Sequence, residues 1–140
     1  MSEYIPVELR RKLSDQFEDC CAYCRSAAAL IAINLEVEHI QTRVAGGLTN
    51  LDNLCLACPS CNRYKGSQQT AIDPESGETV PLFHPQKQVW VEHFGWISNA
   101  SQIAGKTAIG RATVEALQMN RSVLVAVRKL WVKLDQHPPN

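Results

Sequence analysis

The chain has no uninterrupted apolar run long enough to cross a bilayer, which excludes a helical membrane span within its 140 residues. Its opening residues, Met1-Ser2-Glu3-Tyr4, lack the basic and apolar regions of an export signal, so the expected location is the cytoplasm. There is no internal repeat and no low-complexity tract, which sets aside solenoid and linker-like architectures. Nor is there an excess of charge of either sign: 14 Lys and Arg balance 14 Asp and Glu. No overall field would draw this protein to a polyanion. Hydrophobic residues at 45% and charged ones at 20% are ordinary for a globular protein and argue against disorder. The length fits one domain, or a small module with an appended subdomain.

What the chain does have is cysteine in pairs. Cys21-Ala-Tyr-Cys24 and Cys58-Pro-Ser-Cys61 are two Cys-x-x-Cys knuckles separated by a segment longer than a minimal zinc ribbon needs. Without an export signal the thiols stay reduced, so the pairs read as metal ligands rather than disulfides, and four thiolates suit a tetrahedral zinc. Cys20 and Cys55 are left over as buried small hydrophobes or free thiols. Between the knuckles lie Glu38-His39, Gly46-Gly47 and Asn53-Leu54, and Asn62 follows the second pair directly. A structural zinc would thus gather a carboxylate, an imidazole and two amides, the side-chain types that metal-assisted phosphodiester cleavage uses.

Charge is neutral in sum but uneven along the chain. Between Asn99 and Leu134 stand Lys106, Arg111, Arg121, Arg128, Lys129 and Lys133 against Glu115 alone. A basic C-terminal third beside a more acidic module is compatible with a phosphate-contacting face.

Pro6 to Phe17 predicts a helix, with Pro6 in the first turn and Glu8 at its positive end. Leu30 to Ile40 reads as β-rich, with a strand over Leu35 to Ile40. Ala45 to Asn50 is loop, Leu54 to Ala57 a second strand, and Pro59 opens a helix that Gly66 ends. Ala71 to Val80 is a turn-rich link. Val89 to Ile97 reads as an aromatic-rich strand, and a polar turn over Ser98 to Ser101 follows it. Thr107 predicts the N-cap of a helix ending near Asn120, and Ser122 that of a last helix ending near Leu134. On that helix Val123, Leu124, Val127, Leu130, Trp131 and Leu134 form one arc, expected to be core.

The series Cys21-x-x-Cys24, Glu38-His39-Ile40, Gly46-Gly47, Asn53-Leu54 and Cys58-x-x-Cys61-Asn62-x-x-Lys65 closely resembles the HNH endonuclease family over residues 20 to 66, and within it the zinc-stabilised, McrA-like branch. The remainder, including Pro81-Leu82-Phe83-His84-Pro85, Trp90 and Gly110-Arg111, resembles the C-terminal region of small stand-alone bacterial HNH proteins, common in cyanobacteria. The resemblance implies an α+β fold with a ββα-metal (His-Me finger) core and a four-cysteine zinc site, preceded by a helix and followed by a strand and helix extension. The expected division is a nuclease core over residues 1–70 and an extension over 71–140 packed on it.

His39 has the only imidazole beside a carboxylate in the core, and its ordinary titration range suits a general base. By resemblance it deprotonates the attacking water. Glu38 is a hard oxygen ligand suited to Mg²⁺ or Mn²⁺. Adjacent strand residues point to opposite faces, so Glu38 and His39 reach one place only if the strand twists or bulges. Asn62 resembles the second ligand of the catalytic ion. Asn53 resembles the motif's middle residue, whose carbonyl would accept a hydrogen bond from the far ring nitrogen of His39; Asn50 competes for that role. Arg63 and Lys65 from the helix, and Arg43 from the loop, are expected on phosphates. The sequence departs from the family's common pattern in two places: Glu38 stands where many members have Asp, and Thr42 where many have Pro.

The implied activity is hydrolysis of a nucleic-acid strand, DNA first, with one divalent cation, leaving 5′-phosphate and 3′-hydroxyl ends. Paired cuts would raise a homodimer. Two competing readings share the cysteines: a zinc-stabilised nucleic-acid-binding module that does not cut, and a thiol redox protein that binds no metal. His84, His93 and His137 lie near no motif; His93 is expected to be packed or at the surface, and His137, beside Pro138-Pro139, disordered.

Overall fold

A computed structural model describes residues 4–139. Met1 to Glu3, part of the stretch read against an export signal, lie outside them. The first helix, α1 (Val7–Phe17), starts after Pro6 and turns Leu13 and Phe17 into the core. The first knuckle follows at once. The β-rich reading of the next segment holds only at its end. Ala28–Ile31 is a short helix, α2, because an alanine-rich turn favours helix where no strand lies beside it to pair with.

β1 (Glu36–His39) pairs antiparallel with β2 (Leu54–Ala57), setting Glu38 opposite Cys55 and His39 opposite Leu54. β2 is buried along its whole length. The loop between the strands needs Gly47, because a Cβ there would collide with the Gln41 carbonyl oxygen. α3 (Pro59–Lys65) begins at Cys58, whose sulfur accepts from the Cys61 amide, and ends at Gly66 with φ +53°. The order of these elements is ββα, and the fold is α+β with short antiparallel strand pairs.

The turn-rich link is itself paired, β3 (Thr70–Ile72) with β4 (Thr79–Pro81). Asp73 bends the chain by accepting from the Glu75 and Ser76 amides and the Ser76 hydroxyl. The aromatic segment divides into a helical turn, α4 (Trp90–His93), and β5 (Phe94–Ile97), which pairs with β6 (Gln102–Gly105). Thr107 caps α5 (Ala108–Ala116) by accepting from the Gly110 amide at 3.0 Å. That helix stops short of Asn120, whose side-chain amide bonds both the N–H and the carbonyl of Ile103.

α6 (Ser122–Lys133) is capped at Arg121 rather than Ser122. Only part of its apolar arc is the buried face, with Val127 half-buried against the core. Leu124, Arg128 and Trp131 point inward, while Val123, Leu130 and Leu134 are 80%, 57% and 68% exposed. Arg128 turns the helix this way: its guanidinium donates to the carbonyls of Ser101 and Met119 and lies over Trp96. His137 is ordered, against expectation. It packs edge-on against Trp96, with Nε2 3.0 Å from the Ala100 carbonyl. His93 is packed, its Nδ1 2.7 Å from the Thr107 hydroxyl. One core joins Leu13, Phe17, Leu54, Phe83, Phe94 and Trp131. No helix among the described residues is long and apolar enough to cross a membrane.

Candidate active site and its cysteine anchor

Cys21, Cys24, Cys58 and Cys61 place their sulfurs within 4.8 Å of one another, all buried. That is a four-cysteine metal site of the kind zinc takes. Cys20 and Cys55 are buried free thiols outside it. The surrounding contacts fit thiolate ligands. The Ser26 hydroxyl lies 3.2 Å from the Cys24 sulfur, and Arg121 directs its guanidinium at Cys58 and Cys61, 3.6 and 3.8 Å away. Burial works against the Arg121 charge, yet the sulfurs of Cys61, Cys24 and Cys58 outweigh it and push the guanidinium above its ordinary value.

A second feature lies between β1, its following loop and α3. A cavity of about 230 Å³ is lined by Glu38, His39, Thr42, Arg43 and Asn62. Glu38 and His39, adjacent at the end of β1, both line this cavity, although strand alternation sends neighbouring side chains to opposite faces. A wider groove of about 880 Å³ between α1 and β1 also reaches His39.

Glu38 is buried at 5% exposure. Its Oε1 accepts from the Tyr23 hydroxyl at 2.8 Å and lies 3.4 Å from Lys65 Nζ. Its Oε2 is buried with no hydrogen-bond partner among the described residues, and so is the Thr42 hydroxyl in the same cavity. Burial raises the Glu38 carboxyl above its ordinary value, against the Lys65 charge and the Tyr23 hydrogen bond, which lower it. An orphaned carboxylate oxygen on a residue that lines a cavity beside a carboxamide is what a hard divalent cation fits. Asn62 donates its amide to Glu36 Oε1 at 2.7 Å, which leaves its own oxygen free of that bond.

Two expected placements change. Lys65 does not reach out for phosphate: it is 2% exposed, donates to the Ile40 carbonyl at 2.7 Å and pairs with Glu38, because α3 turns this side chain onto the strand rather than to solvent. Asn53 does not orient His39. Its Oδ1 accepts from the Gln41 amide and its Nδ2 donates to the carbonyls of Gln41 and Leu48, so it staples the loop. It lines another depression, with Asn50 and His84. The His39 contact is made by Thr49, whose hydroxyl lies 2.8 Å from Nε2 and also accepts from Arg43 at 3.0 Å. Arg43 borders the cavity and Arg63 lies exposed on α3 beside Asn62.

Tyr23, Thr49 and Glu36 escaped the sequence reading. Strand alternation could have found Glu36, two residues before Glu38 and on the same face. Nothing in the pattern marks the other two.

The ββα order and the four-cysteine anchor define the class: a small metal-stapled α+β module with an acid and a histidine at the end of its first strand. Residues 21–68 match the model of the HNH endonuclease family. Neither the curated proteins nor the solved structures contain a match to the chain.

Proposed function

We propose that the protein is a metal-dependent endonuclease acting on nucleic acid, DNA first, with zinc held by Cys21, Cys24, Cys58 and Cys61. One observation carries the reading: Glu38, whose Oε2 has no partner among the described residues, lines a single cavity with His39 and Asn62. Glu38 and Asn62 would hold Mg²⁺ or Mn²⁺. Such an ion supplies charge neutralisation at the scissile phosphate and at the departing 3′-oxygen. His39 takes a proton from the attacking water, so the products carry 5′-phosphate and 3′-hydroxyl ends. Thr49 holds the far side of the imidazole, the task first given to Asn53. Asn53 serves one step back, fixing the loop that presents Thr49 and Arg43. Arg43 at the cavity rim and Arg63 on the exposed face of α3 are placed for neighbouring phosphates.

The cysteine cluster is consistent with the zinc-stabilised, McrA-like branch. Residues 1–70 would carry the chemistry and 71–140 brace it, a division supported by the bonds from Trp90 to the Tyr23 carbonyl and from Arg121 to the sulfurs. The homodimer has no support among the described residues and is not part of this reading.

Nicking of supercoiled plasmid with Mg²⁺ or Mn²⁺ tests it. Cleavage should need the added ion, and His39→Ala should lower the rate by about 10² to 10⁴. Cleavage that survives His39→Ala removes the mechanism. A zinc-loaded protein that binds DNA and never cuts it identifies a non-cleaving module instead.

A further inference from the structure

Glu38 can serve a cation only if its carboxylate is held with the right oxygen forward. Its two oxygens have unlike surroundings. Oε1 faces the interior, where the Tyr23 hydroxyl reaches it at 2.8 Å and Lys65 Nζ approaches to 3.4 Å. Oε2 is buried with no hydrogen-bond partner among the described residues, and Glu38 lines the cavity. Two donors on one oxygen hold the carboxylate against turning, which leaves Oε2 as the oxygen available to a cation.

Tyr23 is itself immobilised. It lies between two of the cysteine ligands, is wholly buried, and its carbonyl accepts from Trp90 Nε1 at 2.8 Å. Burial confines the ring and the Trp90 bond holds its backbone.

From this geometry we infer that Tyr23 is a positioning residue for the divalent cation, pinning Glu38 Oε1 so that Oε2 is presented, and that the cysteine-bound metal thereby sets the geometry of the second metal site. The inference rests on the reading of Glu38 as a ligand of that ion. A partner one step removed from a metal typically changes its affinity 10- to 100-fold.

The test is direct binding of Mn²⁺ to zinc-loaded protein, followed by electron paramagnetic resonance, comparing wild type with Tyr23→Phe. Mn²⁺ lies low in the affinity order and prefers oxygen, so it leaves the thiolate site alone. The phenylalanine variant keeps the ring in the core and loses only the hydroxyl. With zinc content unchanged, its Mn²⁺ affinity should fall about tenfold. Equal affinity in the two proteins overturns the role of Tyr23 while leaving the cation site standing. Wild type that binds no Mn²⁺ overturns the cation site itself, and this inference with it.

If Tyr23→Phe does not fold, the wild type still decides. A buried tyrosine hydroxyl bonded to a carboxylate gives a slowly exchanging proton resonance. Mg²⁺ titration should move that resonance along a saturating curve, and a resonance that stays in place overturns the inference.

Discussion

Lys65 and Glu38 form a buried pair, with side chains 2% and 4% exposed, in which each has a second task. Lys65 also holds the Ile40 carbonyl, and Glu38 also receives Tyr23. Removing one member leaves an uncompensated charge in the interior. Lys65→Met should therefore cost about 3–5 kcal/mol in urea unfolding of the zinc-loaded protein, and adding Glu38→Gln should recover much of the loss, since both charges are then gone. A Lys65→Met variant as stable as wild type would show that the pair is solvated. At this scale the sequence was a good guide to residues whose type announces their chemistry. The four knuckle cysteines could be picked out because paired thiolate spacing is rare by accident. It was a poor guide to direction. Lys65 looked like a surface cation because helical spacing alone does not say which way a helix will be turned by its neighbours. Asn53 looked like a partner of His39 because nothing local reveals that the Gln41 backbone would claim both ends of its amide.

The β3–β4 hairpin and α5 show how two elements can depend on one ion pair. Arg111 donates from Nε and Nη2 to the two oxygens of Asp73, each at 2.9 Å. This fork, reinforced by the Ser76 hydroxyl and the turn amides, holds the Asp73 carboxyl far below its ordinary value. An acid whose value falls on folding adds stability above its unfolded value and loses it as pH drops through the folded one. Melting temperatures measured downward from pH 5 should fall more steeply for wild type than for Asp73→Asn, which has already lost the fork; parallel curves would show that Asp73 does not couple to folding. The hairpin was invisible in the sequence for the reason that makes it stable. Its strands are three residues each and its turn is built from Asp-Pro-Glu-Ser-Gly, so turn signals outweigh strand signals. The strands β1 and β2 and the helix α3 were legible because a Pro start, a Gly stop and the knuckle cysteines fix their ends. The arc on α6 misled because Arg128, a charged residue, occupies the inward position that periodicity reserves for an apolar one.

Across the whole molecule, the basic C-terminal third has a different meaning from the one its charge suggests. Arg111 grips Asp73, Arg121 faces the sulfurs, Arg128 is buried among carbonyls, and Lys106 donates to the Val91 carbonyl. Much of that positive charge is internal and structural, which leaves Lys129 and Lys133 as the exposed cations of α6. On the proposed two-metal reading, the ions should separate on chelation. A brief wash with a weak chelator, followed by Mg²⁺, should restore cleavage in full. Stripping zinc should unfold the core, and Mg²⁺ alone should restore nothing, as far-ultraviolet circular dichroism and nicking measured together will show. Activity that returns with Mg²⁺ after complete zinc loss would place the anchor outside the folding unit.

Arg121 reaches the sulfurs from sixty residues further along the chain. During synthesis both knuckles leave the ribosome before this guanidinium does, so a nascent or truncated chain presents four sulfurs with one counter-charge fewer. The grip on the metal is therefore completed late, when the last helix arrives, and a chain released early would carry a looser centre than the finished protein.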